Sequence, residues 1–158
     1  MKKIKNIGLL LFLTLSTLSF SYQVNYDDVV DIVLRNYPQS RVTKIEIANY
    51  KGKTVYEGET FNKGQKIEFI IDVNTGEVYK MDPNYDDEYN PSYNLPVTFE
   101  QASRIALDNS FNGRVKSIEL KNIDKKAYYT VEVRENKAEK EINIDANSGK
   151  VLNIKESM

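Results

Sequence analysis

Two short segments of the chain carry apolar residues three and four positions apart, a spacing that predicts two amphipathic helices. Their apolar faces consist of Tyr26, Val29, Val30 and Val33 in the first segment and of Phe99, Ala102, Ile105 and Ala106 in the second. Thr98 and Gln101 have the spacing of a capping box, and Asn25 with the acidic Asp27 and Asp28 marks the other helix start. Each half of the chain therefore opens with a helix that has one side to bury.

Alternating apolar and polar residues follow each helix and predict antiparallel strands. The alternation is clearest in Phe69, Ile71 and Val73. The predicted strands span 42–49, 53–60, 66–73 and 77–81 in the first half and 115–122, 126–134, 139–146 and 150–154 in the second. One face of each sheet is then apolar and is covered by the helix of the same half. The predicted fold class is α+β, with two tandem repeats that are each one helix packed on a four-stranded antiparallel β-meander.

The two halves are copies of one another. Residues Val24–Met81 align without a gap on Val97–Ile154, at an offset of 73 residues. Identical pairs include Ile32/Ile105, Arg41/Arg114, Ile45/Ile118, Glu46/Glu119, Tyr56/Tyr129, Glu68/Glu141, Asp72/Asp145, Asn74/Asn147 and Gly76/Gly149. Because the identities fall on alternating apolar positions and on turn residues, both halves are expected to share one fold.

The last two strands of each half are joined by a turn that contains Asp, Asn and Gly. We expect Asn and Gly to supply the positive φ of a tight hairpin and Asp to cap the backbone N–H groups of the turn. The predicted structural turn residues are Asp72, Asn74, Gly76, Asp145, Asn147 and Gly149. A second interpretation compares Asn-Thr-Gly and Asn-Ser-Gly with an aspartic-protease dyad. It fails chemically, because amides cannot share a proton as two carboxyl groups do.

The first 21 residues have the organisation of a secretory signal peptide. Three Lys precede an apolar run of 12 residues, Ile7–Leu18, and small residues follow at Ser19 and Ser21. An uncleaved N-terminal anchor is the alternative, but a bilayer span takes roughly 20 apolar residues. We expect cleavage between Ser21 and Tyr22 and a secreted or periplasmic protein with no membrane segment after cleavage. The loss of three Lys would change the net charge from −1 to −4.

The composition excludes several kinds of chemistry. The chain has no His and no Cys, so it holds neither a Ser-His-Asp nor a Cys-His nucleophile system, no disulfide and no lipid anchor on Cys. The same absence removes the usual ligands of zinc and copper. The remaining carboxylates, Lys, Ser and Tyr form no constellation typical of catalysis, and the mild acidity argues against a nucleic-acid surface. We therefore predict no enzyme activity, no catalytic residue, no metal and no cofactor.

Residues 82–96 are predicted to be an acidic, Tyr- and Pro-rich linker between repeat domains at 22–81 and 97–158. Alternating oxygen-bearing residues from Asp82 onward resemble the start of an EF-hand loop. However, Asp87 stands where that loop needs Gly and Tyr93 where it needs Glu. The linker Tyr side chains either pack on the sheets or form a contact patch. The candidate partner-binding residues are Tyr85, Asp86, Asp87, Glu88, Tyr89 and Tyr93.

This combination of a helix, a Tyr in a middle strand and a terminal Asp-x-x-Thr/Ser-Gly-x-Val turn resembles the PepSY domain. The matching residues are Tyr56 with the segment 72–78, and Tyr129 with the segment 145–151. PepSY domains occur in propeptides of secreted metallopeptidases and as free-standing exported proteins. The resemblance implies a module that binds or restrains a peptidase without catalysis, although no peptidase follows on this chain.

Two functions are compatible with these features. The first is an exported, non-catalytic protein that binds, and inhibits or modulates, an extracytoplasmic protein such as a peptidase. The alternative is an envelope protein that binds a small ligand or calcium through the acidic linker. Net charge and composition do not separate the two.

Overall fold

The computed structural model describes residues 23–88, 95–123, 126–136 and 138–157, so the predicted signal peptide and its cleavage site lie outside the described residues. In chain order the elements are α1 (Tyr26–Asn36), β1 (Arg41–Tyr50), β2 (Lys53–Asn62), β3 (Gln65–Asp72), β4 (Val78–Glu88), α2 (Phe99–Asp108), β5 (Arg114–Ile123), β6 (Lys126–Glu135), β7 (Ala138–Asp145) and β8 (Val151–Ser157). The α+β class and the antiparallel strands are as predicted. Neither described helix is long and apolar enough to span a bilayer.

The eight strands form one sheet in the order β4-β3-β2-β1-β5-β6-β7-β8. This differs from the expectation of one separate sheet for each half. The reason is that β1 and β5 would each be an open edge within its own repeat, with unpaired backbone groups. Antiparallel pairing of Lys44–Glu46 with Ser117–Glu119 joins these two edges.

Both helices lie on the same face of this sheet. Ile45 and Ile118 are opposite one another in the β1–β5 pairing, so their side chains point to one side. Both belong to a single cluster of buried residues that includes Val29 of α1 and Ala102 of α2. The repeats therefore share one continuous core, and the other side of the sheet, here called the helix-free face, carries no described helix.

The caps of both helices are as predicted, and the buried face of each helix differs from the prediction at one residue. Thr98 and Gln101 form the predicted capping box, and Asn25 with Asp28 forms a second one. Each helix buries four residues on its inner side: Tyr26, Val29, Ile32 and Val33 in α1, and Phe99, Ala102, Ser103 and Ala106 in α2. Val30 and Ile105, both assigned to the apolar faces, are only partly buried.

Strand β4 is longer than predicted. The sequence pattern predicts an end at residue 81, but the strand continues to Glu88 and therefore includes the first half of the predicted linker. Pro83 is opposite Ile67 of β3, and β4 is an edge strand, which is where a sheet tolerates a residue without an N–H group. The second half of the predicted linker is largely outside the described residues.

Candidate functional site

The Tyr residues that carry the repeat signature are buried structural anchors. Tyr56 donates a hydrogen bond of 2.8 Å from its hydroxyl to the backbone carbonyl of Val24, and Tyr129 makes the same bond to Val97. Burial raises the pKa of both phenols to about 12. Each hydroxyl therefore stays protonated and ties the segment entering a helix to the sheet beneath it.

The two predicted turns have closely similar geometry. Asp72 Oδ1 accepts hydrogen bonds from the N–H groups of Asn74 and Thr75, at 2.9 and 3.0 Å. Asp145 Oδ1 accepts the equivalent bonds from Asn147 and Ser148, at 3.1 and 2.8 Å. These hydrogen bonds favour the charged carboxylate and hold the pKa of both Asp residues below its usual range. In Asp72 the largest cause is a further bond from Tyr79, and in Asp145 it is the Ser148 hydroxyl.

Only glycine adopts positive φ in these turns. Gly76 and Gly149 both have a φ of 72°, whereas Asn74 and Asn147 are outside the left-handed region, so the expectation of positive φ for Asn is wrong. A Cβ atom at Gly76 would lie 3.2 Å from Cδ1 of Ile32, and one at Gly149 would lie 3.2 Å from Cδ1 of Ile105. The turns are thus packed beneath the helices.

The helix-free face of the first repeat carries an aromatic cluster that the sequence analysis did not identify. The rings of Tyr50 and Tyr79 stack with their centroids 6.0 Å apart. The Tyr79 hydroxyl donates to Asp72 Oδ2 at 2.8 Å and accepts from Lys53 Nζ at 2.6 Å. Lys51 Nζ lies 4.9 Å from the centroid of the Tyr50 ring. We call Tyr50, Lys51, Lys53, Asp72 and Tyr79 the Tyr50–Tyr79 cluster.

The position of this cluster follows from the pleat of the sheet. Tyr56 and Ile71 belong to the core on the helix side, so their neighbours Val55 and Asp72 point to the helix-free face. Tyr79 bonds to Asp72 and is therefore on that face as well. Tyr is one of the residue types that dominate binding at protein interfaces, so the two rings are the part of the cluster suited to a partner, whereas Asp72 is buried and supports them.

The second repeat has a mixed apolar and polar surface at the equivalent place, with Leu152 54% exposed. Leu152 replaces Tyr79, and Tyr128 and Asn143 replace Val55 and Ile70. Asn143 is bonded across three neighbouring strands, accepting from Thr130 and donating to Asn153. Alignment of the repeats does not single out the cluster, because five of the seven aromatic residues in 24–81 lack an aromatic counterpart.

A partner-binding site at the residues named from the sequence stays a prediction. Tyr85, Asp86, Asp87 and Glu88 belong to β4, but their side chains are outside the described part of the structure. Tyr89 and Tyr93 lie wholly outside the described residues. Among the described residues there is no group of three acidic side chains arranged to hold a metal ion.

Comparisons with known proteins give one family and two solved structures. A family model described as "Peptidase propeptide and YPEB domain" (PepSY) matches residues 23–82 and again residues 96–155. The structure of CD1622 from Clostridium difficile 630, provisionally described as a lipoprotein, is 25% identical and covers 86% of this chain and 95% of its own, with a TM-score of 0.62. The Bacillus megaterium YpeB C-terminal domain is 13% identical, covers 85% of this chain and 66% of its own, and has a TM-score of only 0.35. Curated protein sequences give no significant match.

Proposed function

The chain belongs to the PepSY family, and from this premise we propose that it is an exported, non-catalytic protein that binds an extracytoplasmic protein through its helix-free face. A secreted peptidase is the first partner to test, because the family description includes peptidase propeptides. The likeness to CD1622, provisionally described as a lipoprotein, supports a role outside the cytoplasm.

The observation that carries the proposal is the Tyr50–Tyr79 cluster. Tyr supplies a large contact area at a low cost in side-chain entropy, and its hydroxyl can bond at the same time. Tyr79 is held in place by contacts with Tyr50, Lys53 and Asp72. Its side chain therefore loses little further conformational entropy on binding.

Charge adds a second argument about the partner. The mature chain is expected to carry a net charge of about −4, which favours a partner with a basic contact surface. Association should then weaken as salt rises, because exposed charges are screened over about 8–10 Å at physiological ionic strength. A contact made by the Tyr50 and Tyr79 rings alone would show little dependence on salt.

The proposal is tested with the mature chain, residues 22–158. It is titrated against secreted peptidases of the same cell while peptide hydrolysis is followed, and in parallel it is used to capture envelope proteins for identification by mass spectrometry. The diagnostic variant is Tyr79→Leu, which installs the residue of the second repeat. The control is Ile154→Ala, which changes an exposed residue opposite the core residue Ile142 and therefore on the helix side. A partner bound about tenfold more weakly by Tyr79→Leu than by the control supports the proposal.

Two results would contradict it. One is the absence of inhibition and of any captured protein at micromolar concentration. The other is a partner bound equally by both variants, which would place the contact away from the helix-free face. A clear thermal shift with calcium or a small solute, in the absence of protein capture, would favour the ligand-binding alternative.

A further inference from the structure

A groove on the helix side of the sheet lies where the two repeats meet. Its volume is about 520 Å³, which is within the range of ligand-binding clefts. It runs between α1 and the segment that enters α2, and its floor is formed by β1, β5 and β6. The apolar side chains that line it include Val30, Leu34, Val42, Leu95, Phe99 and Leu120. The groove thus offers an apolar surface for one or two inserted side chains.

The floor of the groove opens because β1 and β5 separate there. Their pairing is limited to three residues on each strand, although both strands have ten. A bulge next to this junction shifts the register of β1 against β2 between Val42 and Lys44, and a bulge bends and twists the strand that carries it. Leu120 lines both this groove and a second one, of about 310 Å³, on the helix-free side.

The rim of the groove is acidic. Asp27 is engaged with α2, accepting from the Thr98 hydroxyl at 3.0 Å and from the Glu100 N–H at 3.2 Å. Asp31 is exposed and makes no hydrogen bond or ion pair with another described residue. Arg41 is the one base among the lining residues that the structure describes, and it interacts with other groups of the protein. The carboxylate of Asp31 is therefore the charge that remains for an incoming group.

The duplication provides an internal comparison for this groove. On α2 the positions of Val30, Asp31 and Leu34 are occupied by Ser103, Arg104 and Leu107. Arg104 is exposed and pairs with Glu100 at 3.1 Å. At the same place in the fold, one repeat therefore presents the partly buried Val30 beside a free carboxylate, and the other has the buried Ser103 beside a paired guanidinium.

We propose that the groove binds a segment of the protein partner in which an apolar side chain stands next to a Lys or Arg. The apolar side chain enters between Val30, Leu34 and Leu120, and the basic group pairs with Asp31 at the rim. This inference rests on the proposed function for the existence of a protein partner, and it adds a second contact on the helix side of the sheet, opposite the Tyr50–Tyr79 cluster. It also agrees with the net negative charge expected for the mature chain.

The test uses capped eight-residue peptides as probes on the ¹⁵N-labelled mature chain. The three peptides alternate Leu with Lys, Leu with Glu, and Ser with Lys. The Leu/Lys peptide is expected to bind best and to shift the backbone signals of Val30, Asp31, Leu34 and Leu120. Equal binding of the Leu/Glu or the Ser/Lys peptide, no binding of the Leu/Lys peptide, or shifts centred on Ser103 and Leu107 overturns the inference.

Substitutions that give each repeat the charged residue of the other make the test specific. Asp31→Arg places the residue of the second repeat in the groove, and we expect it to weaken Leu/Lys binding about tenfold, because an attraction becomes a repulsion. Val30→Ser is expected to weaken binding through lost apolar area. The matched control Arg104→Asp leaves the affinity unchanged. An affinity unaffected by Asp31→Arg, or lowered equally by the control, overturns the inference.

The same variants separate this inference from the proposed function. A partner captured as strongly by Asp31→Arg as by the unmodified chain overturns the groove assignment and leaves the proposed function standing. If the unmodified chain captures no partner while the Leu/Lys peptide still binds in the groove, the proposed function fails and the groove assignment stands.

Discussion

Ile45 of β1 lies directly opposite Ile118 of β5, and the two residues occupy the same position in the two repeats. Lys44 and Ser117 occupy equivalent positions in the two repeats, and so do Glu46 and Glu119. In the β1–β5 pairing these partners are exchanged, so that Lys44 faces Glu119 and Glu46 faces Ser117. This exchange is what a two-fold axis through the Ile45–Ile118 pair produces, since each repeat presents the same strand to the other. Both isoleucine side chains are fully buried, and the pair is therefore the centre of the contact between the repeats.

Removal of either side chain at this axis should destabilise the whole protein. We expect Ile45→Ala or Ile118→Ala to lower the free energy of unfolding by about 2–5 kcal/mol, the usual cost of a large-to-small change in a core. Because the core is continuous across the repeats, urea unfolding followed by circular dichroism should remain a single transition.

A control and a contrary outcome are available for this prediction. Ile154→Ala changes an isoleucine on edge strand β8 that is 42% exposed, and we expect it to cost less than about 1 kcal/mol. Two separate calorimetric transitions, with only one displaced by Ile118→Ala, would show that each repeat folds alone.

Asp27 links the first helix to the second. Its carboxylate accepts from Thr98 and from the N–H of Glu100 in the first turn of α2, where negative charge is favoured by the helix dipole. We expect Asp27→Ala to destabilise the protein by about 1 kcal/mol, the usual cost of losing a helix cap. A double-mutant cycle with Thr98→Ala in urea denaturation measures the coupling between the repeats.

The equivalent residue of the second repeat is a matched control for this cycle. Glu100 stands at the position of Asp27 but pairs with Arg104 in its own helix. We expect Glu100→Ala to cost less than about 0.5 kcal/mol, as is usual for an exposed pair four residues apart. Equal effects of Asp27→Ala and Glu100→Ala would contradict a special role for Asp27.

The elements of the fold were predictable because each depends on residues close together in sequence. The capping box of Thr98 and Gln101 and the alternation around Ile71 are local patterns, and the duplication repeats them. The pairing of β1 with β5 is not local. Ile45 and Glu46 show one apolar and one polar side of a strand, but they do not show which strand lies beside it. The single sheet therefore could not be derived from the pattern.

The misplaced end of β4 and the undetected Tyr50–Tyr79 cluster have a similar origin. Asp82, Pro83 and Asn84 are poor strand formers, and they are tolerated because β4 is an edge strand with one side in solvent. The Tyr50–Tyr79 cluster assembles residues from β1, β2, β3 and β4, so its members are 29 residues apart at the extremes. No short motif signals such a cluster.

The glycines of the two equivalent turns should be sensitive to substitution. We expect Gly76→Val or Gly149→Val to destabilise the protein by about 1–3 kcal/mol, because a β-branched residue is strained at a φ of 72°. The contact of the added Cβ with Ile32 or Ile105 contributes to the same loss. Thermal unfolding of the two variants measures the effect.

Gly64→Val separates backbone strain from crowding. Gly64 also has a positive φ, of 82°, but a Cβ there would have no atom within 4 Å. We expect Gly64→Val to cost less than Gly76→Val. Unchanged melting temperatures for both Gly76→Val and Gly149→Val would refute a structural role for the turns.

The Tyr79 hydroxyl should control the titration of Asp72. Its hydrogen bond is the largest cause of the lowered Asp72 pKa, so Tyr79→Phe should raise that pKa toward the unperturbed value of 3.8. A carboxyl group whose pKa is lower in the folded state stabilises the protein above its unfolded-state pKa, and this stabilisation is lost as the pH falls through the folded-state pKa. Tyr79→Phe should therefore destabilise the protein at pH 7, and the difference should shrink below about pH 4.

Asp145 is the internal control for this titration, because its carboxyl group bonds to Ser148 and Leu152 stands where Tyr79 is in the first repeat. Carbon-13 NMR of the Asp side chains should show that Tyr79→Phe raises the Asp72 pKa and leaves the Asp145 pKa unchanged. Urea denaturation between pH 7 and pH 2.5 should show the stability difference closing only in acid. If the Asp72 pKa is the same in Tyr79→Phe and in the unmodified protein, the hydrogen bond from Tyr79 is not what holds it low, and the cohesion of the Tyr50–Tyr79 cluster would have to come from ring stacking and Lys53 instead.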